Sequence, residues 1–315
     1  MQIFKTYQDI PDEARGAVVA MGNFDGVHLG HQSVIALARA VAVNHNAPLG
    51  IVTFEPHPRE FFAPDAPPFR LMRSKTRAHR LEKLGIDVLF ELPFDKALSS
   101  LSAEEFARDV LAKGLGIRHV VVGADFRFGK GRTGDAEGLS EFGRKYGFGV
   151  TIAPLVSDAQ GDYSSTAIRE ALSDGRPEDA ARILGHWHRI DGVVEKGDQR
   201  GRELGFPTAN LSLDGLHLPK FGVYAVFFDI LDGPHKGVFG GAASLGIRPT
   251  FGVNKPNLET YLFDFSGNLY GAPVSVALVA YQRPEEKYDS LEALIAQMNS
   301  DCVRAREILD TAVAP

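Results

Sequence analysis

Two histidines three residues apart, His28 and His31, stand in "MGNFDGVHLGHQ" among Gly22, Gly26 and Gly30, after a short apolar run and before a helical pattern. A strand, turn, helix reading puts both imidazoles where free backbone N–H groups and the positive end of the helix dipole favour an anion. Imidazoles there donate hydrogen bonds to phosphate oxygens, and a bound phosphate would favour their protonated form. The glycines let a triphosphate approach the backbone closely. The blander alternative, with His31 only capping a helix and His28 on the surface, suits a lone histidine better than this H-x-G-H. The stretch is therefore read as a site for a nucleotide's phosphates, with Gly22, Asn23 and Gly30 beside the two imidazoles of His28 and His31.

Three further stretches carry polar groups at useful places. "VVGADFRFGKGRTG", 121–134, sets Asp125, Phe126 and Phe128 after a strand, at the sheet end where the histidines also lie. Its "GKGRTG" is formally a G-x-G-x-x-G, but it does not open a helix directly from a strand, which argues against a dinucleotide fingerprint. "YSSTAIRE", 163–170, offers Ser165 and Thr166 at a helix start with Arg169 one turn in, an ordinary N-cap that also suits a pyrophosphate. "GVVEKGDQRGRELGFPTANL", 192–211, runs from Gly197 through an Arg-rich loop to Pro207, Thr208, Ala209 and Asn210, read as a rigid turn. Its hydroxyl and amide are small oxygen ligands of the kind that help hold Mg²⁺ and ATP phosphates, although by composition alone it is a loop between two strands. No Walker A motif occurs, since Gly131 follows the lysine of "FGKG". "MRSKT", 72–76, looks like the second motif of class I aminoacyl-tRNA synthetases but comes too early in the chain. Arg70, Arg73, Lys75, Arg77, Arg80 and Lys83 are read as a mainly solvated helix face.

The elements that must position these residues are legible as patterns. From residue 17 to about 155, short β-branched runs ("AVVAM", "GIVTF", "DVLFEL", "HVVVG", "FGVTIAP") alternate with amphipathic segments. In the first of these, Val34, Leu37, Ala38 and Val41 follow helical spacing, and Ser102 with Glu105 makes a capping box for a later one. This alternation predicts an α/β region with a doubly wound parallel sheet, ligands lying at the strand C-termini. After two helices, "STAIREALSDG" and "RPEDAARILG", five short strands separated by turns rich in Gly, Pro, Asn and Asp predict a compact antiparallel β-barrel, closed by the helix "SLEALIAQMNSDCVRAREIL". The boundary is expected between residues 175 and 187, giving domains 1–183 and 184–315.

Composition narrows the function classes. A net charge of −6 opposes a dedicated nucleic-acid binder, which needs a basic face, but not small anionic substrates. One cysteine, Cys302, excludes an intrachain disulfide and a thiolate zinc cluster and fits a reducing cytoplasm. Neither a signal-peptide core nor an apolar run of membrane-spanning length is visible, so a cytoplasmic protein is expected, without nucleic acid or membrane as partners.

H-x-G-H is shared by nucleotidyltransferases and class I synthetases. The whole set, "GNFDGVHLGHQ", "TFEPHP", "VGADFRFG", "SSTAIR", "GRELGFPTAN", "PKFGVYAV", "RPTFG", "LETYLFDF" and "RPEEKYDSLEALIAQMNSDCVRAR", resembles in order the bacterial bifunctional riboflavin kinase/FAD synthetases. The resemblance implies a nucleotidyltransferase-like N-terminal half that makes FAD from FMN and ATP. It implies a β-barrel C-terminal half that makes FMN from riboflavin and ATP, with Mg²⁺ as cofactor and a monomer or weak homo-oligomer. By the same resemblance Glu259 is the kinase base, Thr208 and Asn210 are its Mg-ATP residues, and Phe54, Pro56, Pro58 and Phe128 line the flavin site. Tyr261, where many members have histidine, and Trp187, where a proline or small residue is frequent, depart from the family. An adenylyl- or cytidylyltransferase with another acceptor, or a non-catalytic flavin carrier, would keep some of these motifs without both reactions.

Overall fold

The computed structural model describes residues 1–159, 161–197, 205–248 and 255–313. The chain divides into two compact units, Met1–Ala66 with Ser74–Tyr163, and Pro67–Arg73 with Ser164–Pro315.

In the first unit six strands, β1 (Gln2–Phe4), β2 (Val18–Met21), β3 (Leu49–Glu55), β4 (Val88–Pro93), β5 (His119–Gly123) and β8 (Gly149–Ala153), form one sheet in the order β1-β4-β3-β2-β5-β8. Every pairing is parallel. β6 (Arg127–Phe128) and β7 (Gly134–Asp135) make a short ribbon after β5. Continuous Val, Ala and Met in β2 fit a strand buried on both faces. The helix α1 (Leu29–His45) buries Ile35, Ala38 and Ala42, and Leu37 faces out. The expected stripe was thus displaced by about one residue, because "VIALARAVAV" is apolar nearly all round and its period alone does not fix the phase. Further along come α2 (Pro58–Phe62), α3 (Ser74–Lys83), α4 (Lys96–Ser100), α5 (Ala103–Glu105) and α6 (Ala136–Tyr146). Ser102 and Glu105 do form the capping box at α5, which continues as π-type turns over Phe106–Leu115. Val110, Leu111 and Leu139 from these helices share a core with Val19, Val52, Phe90 and Val120 of the sheet.

The basic segment 70–83 is not a mainly solvated face. Arg77 is 2% exposed and pairs with buried Glu91 at 2.9 Å and with Glu55 at 3.1 Å. It also donates to the backbone carbonyls of Asn23 and Phe54. Arg70 is buried as well, whereas Lys75 and Lys83 are exposed as expected. Counting charges cannot see a carboxylate or carbonyls brought in from other strands.

The second unit contains α7 (Ser165–Ser173), α8 (Pro177–Leu184) and six strands: β11 (His188–Val193), β12 (Thr208–Ser212), β13 (Gly222–Ile230), β14 (Gly237–Arg248), β15 (Lys255–Leu262) and β16 (Pro273–Arg283). The two short strands β9 (Ser157–Asp158) and β10 (Gly161–Asp162) of the first unit pair antiparallel and precede α7. The six-stranded sheet is antiparallel in the order β11-β16-β13-β14-β15-β12 and encloses Ile190, Leu211, Tyr224, Phe228, Leu245 and Leu258. A final helix, α9 (Leu291–Thr311), covers the outside at Ala225 and Phe263 through Ala305. Thr208–Asn210, read above as a turn, is strand. Pro207 ends the irregular stretch, and Ala209 and Leu211 then alternate inward as an edge strand requires.

The edge strands β11 and β12 are spanned by one side chain. Arg73 donates from Nη1 to the Asp191 carbonyl at 2.8 Å and from Nη2 to the carbonyls of Ser212 and Asp214 at 3.1 and 3.0 Å. Beside it, Arg70 bridges Leu216, and the Glu195 N–H donates to the Asn210 carbonyl. Edge carbonyls that lack a ladder partner are thereby satisfied.

Candidate active sites

His28 and His31 meet at the C-terminal end of β2, where α1 begins. His28 is the N-cap: its Nδ1 accepts the His31 backbone N–H at 3.3 Å, so its ring proton sits on Nε2. The two rings stack at 3.7 Å between centroids, and Phe24 packs on His31 at 5.1 Å. His28 is thus buried rather than on the surface, and the cap is His28 rather than His31. Burial first, and then neighbouring His28, pushes the His31 imidazole well below its usual range, so at neutral pH it is uncharged in the ligand-free chain. Its Nδ1 is buried without a hydrogen-bond partner among the described residues.

The loop between β2 and α1 is held from behind. The Asn23 carbonyl accepts from Thr53 Oγ1 and Arg77 Nη1, both at 3.2 Å, which leaves the Asn23 side chain exposed. A Cβ on Gly30 would stand 3.0 Å from His28 Nδ1 and from the Tyr163 carbonyl, so only glycine fits without displacing the histidine. Gly22 lies next to the Phe24 ring. Asp125 is exposed in the turn after β5, the strand beside β2. β2 and β5 flank the point where strand order reverses, so the histidine loop and Asp125 rise side by side from the sheet's carboxyl ends.

Of the four residues expected at the flavin site, Phe54 and Phe128 are only 8% and 7% exposed and belong to the core. They sit in a chain of ring contacts that runs from Phe62 through Phe94, Phe54, Phe106 and Phe128 to Phe126. The outward members are Phe62, 67% exposed, and partly exposed Phe126, stacked on Phe128. Pro56, exposed, and Pro58 flank His57, which caps α2, and Pro58 is its first residue. Ser165, Thr166 and Arg169 lie on α7 in the second unit, where Ser164 rather than Ser165 or Thr166 is the N-cap. Arg169 lies over the Phe69 ring at 5.5 Å and donates to the Phe69 carbonyl.

The second unit holds the other site. Antiparallel register sets Asn210 of β12 opposite Glu259 of β15, and Ser244 of β14 opposite Glu259 from the other side. Thr208 is opposite Tyr261 two pairs along, the next on the same face. All project from the outer face, because Leu258, Thr260 and Leu262 point inward. Asn257, which the sequence reading passed over, donates from Nδ2 to Asn210 Oδ1 at 3.0 Å and to Glu259 Oε1 at 3.4 Å. Its position two residues before Glu259 in a strand pattern was the available signal. Gly197 lies at the end of the described segment; the Arg-rich part of the loop, most of "GRELG", and "PTFG" of "RPTFG" lie outside the described residues.

The donor set suits magnesium carried by phosphates. Thr208, Asn210 and Glu259 offer a hydroxyl, an amide oxygen and one carboxylate, hard oxygens that supplement phosphate and water rather than replace them. No cluster of three or more His, Cys, Asp or Glu that would cage an ion exists among the described residues.

A family model described as FAD synthetase matches residues 10–167, and one described as riboflavin kinase matches residues 184–309. A bifunctional riboflavin kinase/FMN adenylyltransferase from Pseudomonas fluorescens is 41% identical over 309 residues, 98% of each chain. One from Escherichia coli strain K12 is 39% identical over 292 residues, covering 93% of this chain and 92% of that one. A crystal structure from Streptococcus pneumoniae, described as a macrolide-efflux protein, matches over 99% of both chains with a TM-score of 0.84 and 31% identity. Efflux is the description of that protein; here no helix among the described residues is long and apolar enough to cross a membrane. With one domain model on each half and relatives alike over nearly their whole length, the chain belongs to the bifunctional riboflavin kinase/FMN adenylyltransferase family.

Proposed function

We propose that this chain makes FMN from riboflavin and ATP in its C-terminal half, and FAD from FMN and ATP in its N-terminal half, with the activities divided near residues 183 and 184. The reading is carried by one observation: each half keeps a site whose polar groups are held in place, the His28–His31 stack at α1 and the Asn210–Glu259 pair across β12 and β15.

The two sites face different chemical tasks. In adenylyl transfer the attacking FMN phosphate oxygen is already ionised at neutral pH, so no general base is required. It bonds to the α-phosphorus of ATP while the bond to pyrophosphate breaks. His28 and His31 donate hydrogen bonds to phosphate oxygens as charge moves toward the leaving group, and Arg169 is assigned to the same charge. The N-terminal N–H groups of α1, Gly22, Asn23 and Gly30, together with Asp125, Ser165 and Thr166, complete the ATP contacts. Phe54, Pro56, Pro58 and Phe128 build the flavin wall, the two phenylalanines from beneath through the rings that cover them.

Riboflavin phosphorylation starts from a neutral ribityl hydroxyl. Glu259 takes its proton as the oxygen bonds to the γ-phosphorus and ADP leaves. Thr208 and Asn210 would hold Mg²⁺, and Gly197 is assigned to ATP binding. Magnesium, when bound, neutralises phosphate charge. The protein is assigned to the cytoplasm, as a monomer or weak homo-oligomer.

Incubation of the full chain with riboflavin, ATP and Mg²⁺, followed by flavin chromatography, is expected to show FMN and then FAD. Glu259→Gln should lower riboflavin phosphorylation by about 10²–10⁴-fold and leave FMN adenylylation intact. His28→Ala with His31→Ala should do the reverse. Loss of both activities in either folded variant would refute separate sites.

A further inference from the structure

Asparagine is disfavoured inside strands, yet β15 carries Asn257 on the face it shares with Glu259. Its register neighbours are Ser212 on one side and Gly246 on the other. A single amide nitrogen of Asn257 donates both to Asn210 Oδ1 and to Glu259 Oε1. Asn210 is thereby fixed at both ends, since its own Nδ2 donates to the Thr208 carbonyl at 3.3 Å. Glu285 adds a second carboxylate to this face. It packs so closely over Gly246 that a Cβ there would stand 2.1 Å from its Oε1, and its charge repels that of Glu259. On this edge Lys255 is engaged with Asp214 at 2.7 Å.

We propose that Asn257 is a positioning residue for riboflavin phosphorylation: its amide N–H group sets the orientation of the Asn210 carbonyl oxygen and holds the Glu259 carboxylate beside it. The inference rests on the roles given above to Asn210 and Glu259. Without the donor, Asn210 loses the contact that orients its carbonyl oxygen, and Glu259 loses the amide that holds its carboxylate toward Asn210. Asn257 touches no reacting atom, so its effect passes through its two partners.

The test uses the full chain with Asn257→Ala and the isosteric Asn257→Asp, which keeps the shape but loses the donor and adds a carboxylate. Riboflavin phosphorylation, Mg·ADP binding by titration calorimetry and FMN adenylylation are measured on the same preparations. Asn257→Ala should lower the kinase kcat about tenfold, the effect of one charge-assisted hydrogen bond, with riboflavin KM changed by less than about twofold. Mg·ADP binding should weaken about threefold to tenfold, and adenylylation should stay at the parent level. Asn257→Asp should be worse than Asn257→Ala, the opposite of what a packing role gives. Adding Asn257→Ala to Asn210→Ala should cost little more than Asn210→Ala alone, because coupled losses do not add. An unchanged kcat and Mg·ADP affinity, an aspartate better than alanine, or additive losses would overturn the inference while Asn210→Ala and Glu259→Gln remain defective. If those two variants themselves keep full kinase activity, the reading of the site fails and the inference falls with it.

Discussion

Replacing Arg73 with alanine removes three hydrogen bonds from one guanidinium to the carbonyls of Asp191, Ser212 and Asp214. These carbonyls belong to or adjoin the two edge strands of the kinase sheet, which share no ladder of their own. A hydrogen bond from a charged donor contributes about 1.5–3 kcal/mol when buried. Here the guanidinium is only partly buried, the Asp214 contact is exposed, and the released carbonyls regain water. The loss is therefore set at about 2–4 kcal/mol in all. For a unit of this size each kcal/mol moves the transition by about 2–4 °C, so the second unit should melt about 4–16 °C lower. Calorimetry of the full chain reads this directly, with riboflavin phosphorylation lost at the lower temperature and adenylylation as the internal reference. Arg73→Lys should recover only part, because an ammonium cannot fork to both edges. A fragment of residues 184–315 lacks Arg73 and should melt below the full chain for the same reason. An Arg73→Ala protein whose kinase transition moves by less than about 1 °C would refute the seam argument.

Arg77→Met should destabilise the first unit by about 2–4 kcal/mol, because buried Glu91 keeps only the Ser74 hydroxyl and the exposed Lys5 ammonium at 3.8 Å, and adenylylation should suffer through the loosened Asn23 and Phe54 carbonyls. Arg77→Met with Glu91→Leu should recover most of the stability; urea unfolding of the single and double variants checks this. His188 is buried on β11, and burial, reinforced by His186 and His217, pushes its imidazole down to about 3. Its folded value lies below the unfolded one of 6.5, so its contribution is intact above pH 6.5 and drains away as pH falls toward 3, when the unfolded chain takes the proton first. His188→Leu should flatten the fall of the second unit's unfolding free energy, read from urea titrations, in that window by about 1.4 kcal/mol per pH unit, and an unchanged slope would count against it.

The His28–His31 loop was readable as a strand, turn and helix start because its logic is local. Gly30, His28 and the start of α1 lie within a few residues, and the strand before them is a continuous apolar run. The same holds for the Ser102–Glu105 box and for the alternation of β15. The aromatic cluster was half legible: its residue types and order were visible, but only packing decides that Phe54 and Phe128 turn their faces to the core while Phe62 and Phe126 look outward.

What the amino-acid sequence determined by itself, then, was the class of each half, the order of its strands along the chain and the residues able to do chemistry, since all of these follow from periodicity and short-range spacing. Tertiary structure decided which of them meet. Asn210 and Glu259 are 49 residues apart in number and become neighbours only through the β12–β15 register. Asn257 gains its role from that same register. Arg73 and Arg77 looked like solvent charges because a basic side chain carries no mark of its partner; the carbonyls and carboxylates that hold them arrive from strands distant in sequence. Long-range pairing is fixed by burial of whole faces, and a linear pattern records each face but not the one it is packed against.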